Sequence, residues 1–408
     1  MGGPLSVYIV RQKSNMTVNS VALHSRSLTA ESRPVQIAEV LSLWKASPVA
    51  QEVLKWITDS QGRGVKQISK EEDFVQITGT TIVDMPDEEA ERMRRELPDV
   101  FVLRDRPIEL IRPRRNVTAA RKRISADDLW HLHAIGLKAA REQGFAVSGV
   151  GVTIAVLDTG IDPTHPELEG RVAGAYTFDV SRQEAQSMEP SRDTDGHGTH
   201  VAGLICGKRV GVAPGAEVLS GVMIPGGRGN LSDFIFALGW AAKRPEVQIA
   251  NISAGICGYL PEMHGVVAYL MAFGVLPVCA SGNEGRNRTR SPGNYVEVVK
   301  VGATNRENRV AGFSSGGILV TDYHQYTVPD LVAPGDGVYS SVMGGGYEAW
   351  GGTSMAAPIV SGVAALILEK YPGITVGDLV EELLSSCIDL GCSADRQGAG
   401  LVQVKVAL

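Results

Sequence analysis

The chain has 408 residues, which is long enough to bury one or two hydrophobic cores. Its 44% hydrophobic and 21% charged residues are typical of a globular protein, and the formal net charge of −6 gives no reason to expect nucleic acid or a membrane as a partner. No apolar run reaches the roughly 18 residues of a membrane-spanning helix. The five cysteines indicate a chain that does not depend on disulfides, although Cys387 and Cys392 are close enough in sequence to pair in an oxidising compartment.

Residues 1–10 lack the basic start and long apolar run of a secretory signal. The sequence as given therefore predicts a cytoplasmic protein, or a secreted one if an export signal precedes it in the gene product. Residues 1–105 as a whole are rich in charge and poor in glycine. Their patterns predict a small α+β module with strands and helices at Val7–Arg11, Ile37–Ile57, Phe74–Gly79, Pro86–Leu97 and Val100–Arg104.

A basic segment follows this module. Between Arg104 and Arg123 the chain carries eight Lys and Arg residues, two acids and two prolines. A nucleic-acid-binding arm is one interpretation, but no aromatic residue interleaves the charge after Phe101. We therefore expect a solvated linker over residues 106–126, which would be a good target for proteolysis. The catalytic or binding domain would then cover residues 127–408.

From about Asp127 onward, apolar strand patterns alternate with helical patterns. This alternation predicts an α/β fold with a doubly wound, mainly parallel sheet covered by helices on both faces. In such sheets the functional residues lie at the carboxyl ends of the strands. The predicted strands and helices are Val152–Leu157, Glu217–Val222, Gln248–Ser253, Val275–Ala280 and Val298–Val301, with helices at Ser232–Ala242 and Met355–Glu369.

Three polar residues stand at element ends in this region. Asp158 follows a predicted strand, and His197 and Ser354 each begin a predicted helix. Alone, each is ambiguous: Asp-Thr-Gly also occurs in aspartic proteases, but those need a second carboxylate and no second copy exists here. His197 and His200 have a spacing that suits a metal, but no Glu completes a zincin motif, and we expect no metal site. A serine at a helix start is usually a cap.

Together the three residues form a more specific pattern. Aspartate, histidine and serine in that chain order make one of the known arrangements of the nucleophilic triad. A serine hydroxyl needs a neighbouring base to become a nucleophile, and the base needs an anion to hold its tautomer. The helix start beneath Ser354 adds backbone N–H groups suited to an oxyanion. The pattern therefore predicts Asp158, His197 and Ser354 as a catalytic triad.

The segments Asp158-Thr-Gly, Asp195-Gly-His-Gly-Thr-His and Gly351-Gly-Thr-Ser-Met-Ala resemble the signature blocks of the subtilisin-like (S8) serine proteases. The resemblance covers residues 127–405 and implies a serine endopeptidase that forms an acyl-enzyme intermediate. Ala280-Ser-Gly-Asn-Glu-Gly resembles the oxyanion block of this family, which implies that Asn283 donates to the tetrahedral intermediate.

The resemblance also implies where a peptide substrate binds. Segments 226–231 and 251–256 would flank an extended peptide and pair with its backbone. The alternative is that they are two ordinary glycine-rich loops. The substrate-binding residues implied by these segments and by the oxyanion block are Gly227, Gly229, Ser253, Ala254, Gly255, Ala280 and Gly282.

Residues 1–105 resemble the inhibitor-type prodomain of the same family, with the best match over residues 83–105. This implies a self-processing zymogen whose prodomain is an intramolecular inhibitor. We expect that no cofactor is required, although calcium is possible. The loop that binds calcium tightly in secreted members is shortened and contains Lys208 and Arg209, with Glu167 as one remaining candidate ligand, so we expect this calcium site to be absent.

Two questions stay open at the level of sequence. Arg290 would favour an acidic residue before the cut if it lined the primary pocket, whereas it has no such role if it is a solvated arginine on a surface loop. The alternatives to an active endopeptidase are a catalytically silent pseudoprotease held by its N-terminal module, and an esterase or amidase that uses the same triad. The oligomeric state is not predicted.

Overall fold

The computed structural model describes residues 5–13, 47–69, 79–115, 120–179, 185–322 and 324–405, together with positions 33, 37, 38 and 42. Within these residues the α-helices are Pro48–Ser60, Asp87–Glu96, Trp130–Ala134, Leu137–Glu142, His197–Cys206, Leu231–Lys243, His264–Ala272, Thr353–Lys370, Val376–Ser386 and Ala394–Gln397. Short 3₁₀ helices are Gln61–Arg63, Asp127–Leu129, Pro225–Gly227 and Pro261–Met263.

The N-terminal module contains a four-stranded antiparallel sheet among its described residues. Its strands in spatial order are Lys66–Gln67, Thr80–Met85, Ser6–Gln12 and Val100–Arg104. Alternate residues of the central strand point to opposite faces. Tyr8 and Val10 pack in the module's own core, whereas Ile9 joins the core shared with the helices Leu231–Lys243 and His264–Ala272. The module is therefore docked on the larger domain through one face of its sheet.

The larger domain is organised around an eight-stranded sheet within the described residues. In spatial order its strands are Leu331–Pro334, Val299–Thr304, Leu276–Ala280, Val247–Ile252, Thr153–Asp158, Glu217–Val222, Val172–Thr177 and Gln186–Ser187. Seven of these pair in parallel, and Gln186–Ser187 is antiparallel at one edge. The predicted α/β fold with a mainly parallel sheet is confirmed.

Both faces of this sheet are covered by helices. In the strand Thr153–Asp158, Ile154 and Val156 pack with the helices His197–Cys206 and Thr353–Lys370, whereas Ala155 and Leu157 pack with helices of the opposite layer. Among the described helices, Thr353–Lys370 is long and apolar enough to meet the length and composition criteria of a membrane span, but 78% of it is buried inside the fold. It is therefore the core helix of the domain, and it carries Ser354 at its start.

Three smaller sheets complete the described architecture. The hairpin Gly317–Val320 with Gln325–Val328 is peripheral. The other two sheets each include part of the basic segment that joins the module to the domain. Their strands in spatial order are Arg228–Asn230, Pro107–Leu110, Ala254–Cys257 and Arg290–Ser291 for one, and Val338–Ser341, Tyr347–Gly351 and Arg114–Arg115 for the other.

The expectation of a solvated linker over residues 106–126 is wrong for its first part. Ile108, Leu110 and Ile111 are each at most 3% exposed, while Glu109 between them is exposed. This alternation of buried and exposed residues is typical of a strand whose one face is covered. The strand was not predicted because the interpretation relied on charge, and arginines are frequent on both sides of these apolar residues.

Two predictions for the N-terminal module fall partly or wholly outside the described residues. The predicted strand Phe74–Gly79 lies outside them except for Gly79, and the described strand begins at Thr80. The predicted helix Ile37–Ile57 is described mainly from Pro48, where proline begins the helix Pro48–Ser60.

Candidate active site

Asp158 and His197 form the buried centre of the site. Asp158 is the last residue of its strand, and His197 is the first residue of a helix that follows Gly196 in the left-handed conformation. Nδ1 of His197 donates to the Asp158 carboxylate, at 2.8 Å from Oδ1 and 3.0 Å from Oδ2. This bond requires a proton on Nδ1, so Nε2 of the neutral ring carries a lone pair that is able to accept a proton.

Two glycines allow the strand end and the helix start to approach so closely. A Cβ on Gly198 would collide with the carbonyl oxygen of Gly160. Gly160 itself has φ +114°, a conformation that side-chain-bearing residues rarely adopt. The glycines of Asp-Thr-Gly and His-Gly-Thr-His are therefore steric requirements of the Asp158–His197 contact.

Asp193 organises this contact from below, and sequence analysis missed it. Its Oδ1 accepts from the Thr159 hydroxyl at 2.7 Å and from Gly196 N at 2.9 Å. Its Oδ2 accepts from the backbone and hydroxyl of Thr199, at 2.8 and 2.6 Å. One carboxylate thus joins the segment after Asp158 to the helix start at His197. The signal available in the sequence was an aspartate four residues before His197.

Ser354 is the second residue of the core helix Thr353–Lys370, which packs against the helix that carries His197. Its hydroxyl donates a hydrogen bond of 2.9 Å to the carbonyl oxygen of Ile111. In the part of the chain that the structure describes, Nε2 of His197 is buried and has no hydrogen-bond partner. The serine hydroxyl is therefore engaged by the chain's own segment 107–115 rather than by the histidine.

Asn283 lies beside Ser354 and presents its amide group to the same segment. Its Nδ2 donates to the carbonyl oxygen of Arg112 at 3.1 Å. Its Oδ1 accepts from the backbone N–H of Thr353 at 2.9 Å and from the Thr353 hydroxyl at 3.1 Å. These two bonds fix the amide so that its N–H groups point into the cleft.

The chain's own strand Pro107–Leu110 lies between the two segments predicted to flank a substrate. Gly229 pairs antiparallel with Ile108 on one side, and Ala254 and Gly255 pair with Leu110 and Glu109 on the other. The carbonyl oxygen of Ser253 then accepts from Ile111 N at 3.1 Å. The chain's own segment is thus held by backbone pairing on both edges, with the carbonyl oxygen of Ile111 at the Ser354 hydroxyl.

The remaining predicted binding residues lie around this path. Gly227 lies next to the Arg112 guanidinium. A Cβ at position 227 would lie 2.8 Å from Nη2 of Arg112, so glycine leaves room for this side chain where it lies. Gly282 N donates a hydrogen bond of 3.2 Å to the Thr353 hydroxyl oxygen. Ala280 ends its strand and is buried behind the cleft.

The sequence model of the subtilase family matches residues 149–400 of this chain. The chain belongs to the subtilase family. An intracellular serine protease of Paenibacillus polymyxa is 37% identical over 270 residues, which cover 62% of this chain and 79% of that protein. Subtilisin BL of Lederbergia lenta is 36% identical over 285 residues, which cover 68% of this chain and 97% of that protein. Subtilisin E of Bacillus subtilis is 36% identical over 279 residues, which cover 66% of this chain and 68% of that protein.

Membership in the subtilase family makes this protein a serine endopeptidase, a hydrolase that acts on peptide or protein substrates. The resemblance inferred from the signature blocks is confirmed. The assignment of individual residues to the triad, to the oxyanion hole and to substrate binding stays a prediction at this point.

Ile108, three residues before Ile111, packs in an apolar cluster of the subtilase and lines a small pocket there. Burial of Ile108 leaves it 1% exposed. The pocket lies between the helices Leu231–Lys243 and His264–Ala272. Its apolar lining includes Leu231, Phe234, Ile256, Leu260, Met263 and Val267. The Ile108 side chain is therefore surrounded by apolar groups.

Arg290 is neither an unpaired cation in the pocket nor a fully solvated surface residue. It begins the strand Arg290–Ser291, and its Nε donates to Glu284 Oε1 at 2.7 Å. Its Nη1 donates to the carbonyl oxygen of Gly255 at 3.1 Å, and its side chain is 16% exposed. The guanidinium therefore already has a carboxylate partner, which removes the reason to expect a preference for acidic substrates.

His200, the second histidine of the signature, has a structural environment. Its ring stacks on Trp350 with centroids 4.2 Å apart, and its Nε2 donates to the carbonyl oxygen of Glu348 at 3.1 Å. Burial lowers the pKa of His200 to about 3, so the ring is neutral at physiological pH. In the described part of the chain, no group of three or more His, Cys, Asp or Glu residues is arranged to hold a metal ion.

The residues at the shortened loop do not fit a tight calcium site. Oε2 of Glu167 accepts from Arg209 N at 2.6 Å, and Oε1 accepts from the Tyr347 hydroxyl at 2.7 Å. Burial and the bond to Glu167 raise the pKa of Tyr347 to about 12, so this hydroxyl stays a donor. Lys208 pairs with Glu169 at 2.9 Å. The one candidate carboxylate is thus already occupied by protein donors.

Proposed function

We propose that Asp158, His197 and Ser354 form the catalytic triad of this endopeptidase and that the protein is a zymogen whose first substrate is its own segment 107–115. In this mechanism Oγ of Ser354 attacks the carbonyl carbon of the scissile bond, and Nε2 of His197 accepts the hydroxyl proton. Asp158 holds the ring by its Nδ1 and stabilises the cation that forms. The Asn283 amide donates to the oxygen of the tetrahedral intermediate.

The remaining steps follow from the same groups. The protonated His197 gives its proton to the departing amine, and the bond to that amine breaks, which leaves an ester between Ser354 and the acyl half of the substrate. A water molecule then attacks the ester with His197 as its base. Hydrolysis regenerates the free serine and releases the new carboxylate.

One observation carries the proposal that the chain processes itself. The Ser354 hydroxyl is 2.9 Å from the carbonyl oxygen of Ile111, in a segment held on both edges by the cleft strands. The peptide bond whose carbonyl oxygen accepts from the Ser354 hydroxyl is Ile111–Arg112. This bond lies within the segment between 105 and 127 where sequence analysis expects processing.

We also propose that residues 1–105 act as an inhibitory prodomain, with residues 106–126 as the processed linker and 127–408 as the catalytic domain. Support comes from charged contacts at both ends of the helix Leu231–Lys243. The Asp105 carboxylate accepts from Ser232 N at 3.0 Å and from the Ser232 hydroxyl at 2.6 Å. An acid is favourable at this end because the helix N-terminus carries unpaired N–H groups and a positive partial charge.

Arg33 makes the opposite contact at the C-terminal ends of two helices. Its Nε donates to the carbonyl oxygen of Phe273 at 2.7 Å, and its Nη2 donates to that of Gly274 at 3.2 Å. Its Nη1 donates to the carbonyl oxygen of Arg244. Burial lowers the pKa of Arg33 to about 10, which still leaves it charged at neutral pH. A cation suits the negative ends of both helices, so the module and the helices are electrostatically complementary.

The test of this function is fluorophosphonate labelling of the purified chain combined with mass mapping of its mature N-terminus. The proposal expects Ser354 to be labelled after processing and a new N-terminus at Arg112. No labelling would instead favour the pseudoprotease. Cleavage of a nitrophenyl ester without cleavage of labelled casein would favour the esterase or amidase. Labelling with a mature N-terminus outside residues 106–127 would refute self-processing at this linker.

We propose that the enzyme needs neither a cofactor nor a tightly bound calcium ion. The occupied oxygens of Glu167 support this, as does the salt bridge of Lys208 in the same loop. Incubation with EDTA followed by gel filtration should leave the rate of casein hydrolysis within about twofold of the untreated enzyme. A loss of activity that added calcium restores would contradict it.

We propose a reducing, cytoplasmic location for the protein. All five cysteines are free thiols, and Cys206 is fully buried, which raises its pKa to about 12 and keeps it protonated. Cys387 and Cys392 are likewise unpaired. Fractionation of the native host, with detection of the mature enzyme in the cytoplasmic fraction, tests this proposal, and recovery from the culture medium would contradict it.

A further inference from the structure

The segment that follows Ile111 leaves the cleft along a defined path. Arg114–Arg115 forms a short strand that pairs antiparallel with Tyr347–Gly351, with Arg115 opposite Trp350. Arg112 and Arg115 are the first and fourth residues after the Ile111–Arg112 bond. The backbone pairing fixes where the side chains of this departing half are presented.

Asp195 receives two of these side chains. One carboxylate oxygen of Asp195 lies 3.0 Å from Nη2 of Arg115, and the other lies 3.4 Å from Nη1 of Arg112. The Asp195 side chain is 15% exposed, whereas Arg112 is 62% exposed and Arg115 is 40% exposed. Of the two pairs, the one with Arg115 is shorter and less screened by water, so it contributes more to recognition.

Trp350 provides the second element of recognition. The Arg115 guanidinium lies over its indole ring, 4.0 Å from the centroid, which is a cation–π arrangement. The ring is also held by residues outside the segment 107–115, because His200 stacks on it and its Nε1 donates to Glu348 at 2.8 Å. A planar guanidinium satisfies both the carboxylate and the ring, which an ammonium group does less well.

We propose that Asp195 and Trp350 form a subsite that selects substrates with an arginine at the fourth position after the cut, with a weaker preference for arginine at the first. The inference rests on the proposed function, because it treats the segment 107–115 as a bound substrate. The contacts of Arg112 and Arg115 then describe how a foreign polypeptide is recognised on its departing side. Asp195 determines specificity for charge, and Trp350 determines specificity for shape.

The test compares peptides that differ at one side chain. Peptides with isoleucine before the cut carry either arginine or its uncharged isostere citrulline at the fourth position after it, and are given to the self-processed enzyme. We expect kcat/KM to be about tenfold higher for arginine at low ionic strength, and the ratio to fall as salt screens the pair. In Asp195→Asn the ratio should fall at least threefold.

Two controls isolate the charge of Asp195. At the third position after the cut, Arg114 lies over Phe313, with its guanidinium 4.8 Å from the ring centroid. The ratio of kcat/KM for arginine and citrulline at this position should therefore be the same in the wild type and in Asp195→Asn. Glu381→Gln removes an exposed carboxylate on the helix Val376–Ser386 and should leave the arginine-to-citrulline ratio as in the wild type. A wild-type ratio below about three, or a ratio that Asp195→Asn lowers less than threefold, overturns the proposal.

Cleavage of neither peptide would refute the proposed function, and the subsite is then decided without catalysis. In the full-length Ser354→Ala chain, hydrogen exchange of the backbone amides of Arg112, Arg114 and Arg115 reports how firmly the departing half is held. We expect Asp195→Asn to accelerate this exchange at least fivefold, whereas exchange at residues 107–110 changes little. Equal exchange at residues 112–115 in both chains would overturn the subsite.

Discussion

The hydroxyl of Ser354 donates to the carbonyl oxygen of Ile111, at a distance of 2.9 Å. Asn283, the proposed oxyanion donor, instead donates to the next carbonyl, that of Arg112, at 3.1 Å. In the proposed mechanism, hydrolysis of Ile111–Arg112 requires the Ile111 carbonyl to exchange its hydrogen bond from Ser354 for one from Asn283. In the intact chain, Ser354 and Asn283 therefore bond to two successive carbonyls of the segment 107–115.

Ser354→Ala should abolish hydrolysis of casein and leave the full-length chain uncut, because the same serine is proposed to process Ile111–Arg112. Electrophoresis and mass spectrometry of the freshly purified chain report the processing directly. Ser385→Ala, which removes an exposed hydroxyl from the helix Val376–Ser386, is the matched control and should process normally. Activity of Ser354→Ala within tenfold of the wild type would remove this residue from its role.

Asn283→Ala should lower kcat roughly a hundredfold or more with little change in KM, the magnitude known for such oxyanion donors in subtilisins. The reason is that the amide hydrogen bond strengthens only as the carbonyl oxygen becomes an anion. Steady-state kinetics on a chromogenic peptide separates the two parameters. A rise in KM with an unchanged kcat would show that Asn283 binds the ground state instead.

Asp105→Asn should weaken inhibition of the mature enzyme by an added N-terminal module. A hydrogen bond to a charged group contributes about 1.5–3 kcal/mol, so we expect the inhibition constant to rise about tenfold or more. The variant keeps the size of the side chain but loses the negative charge that accepts from the backbone N–H and the hydroxyl of Ser232. Asp59→Asn, an exposed change on the helix Pro48–Ser60, is the matched control. Equal inhibition by the two variants would contradict the docking.

The wild-type enzyme should favour an apolar residue before the cut, and Glu284→Gln should increase cleavage after acidic residues. Glu284 pairs with Arg290 at 2.7 Å, so the positive charge of Arg290 is already neutralised and does not attract an acidic substrate side chain. Neutralising Glu284 leaves a half-buried guanidinium that gains from a substrate carboxylate. A peptide library profiled with wild type, Glu284→Gln and Arg290→Ala decides this. Identical profiles would mean that the pair does not influence specificity.

Folding stability should decrease as the pH falls from 6.5 to 4, in part because of His131. Burial lowers the pKa of His131 to about 4 in the folded chain, against 6.5 for an exposed ring, and its Nε2 donates to the Val210 carbonyl oxygen at 2.8 Å. Above pH 6.5 both states are neutral, so nothing is lost. Below it the unfolded chain binds the proton first, and the difference in pKa corresponds to about 3 kcal/mol at pH 4.

Urea unfolding of the Ser354→Ala chain between pH 4 and 8 measures this dependence without self-digestion. His131→Gln should flatten the slope between pH 6.5 and 4, even if it lowers the stability at pH 8. His133→Gln changes an exposed neighbour and should retain most of the slope. If the slopes of His131→Gln and the parent chain coincide, the buried ring is not the source.

Much of the fold follows from local patterns that survive in any context. The strand predicted at Val152–Leu157 is observed at Thr153–Asp158, and the helix predicted at Met355–Glu369 is observed at Thr353–Lys370. Such elements are long, buried and strongly patterned, so neighbouring structure does not override them. The expectation of a solvated linker fails for its first part because arginines are frequent there, although Ile108 and Leu110 are buried on either side of the exposed Glu109, as a strand with one covered face requires.

The sequence by itself determined the family, the order of the signature residues and the glycines that bring Asp158 to His197. These are properties of contiguous segments, which a linear pattern records completely. Only the tertiary structure decided which carbonyl meets Ser354, that Glu284 neutralises Arg290, and that Asp195 and Trp350 receive Arg115. These contacts join residues far apart in the chain, and a one-residue change of register would present different groups to the same site. Distances across the cleft are set by packing, which no single segment encodes.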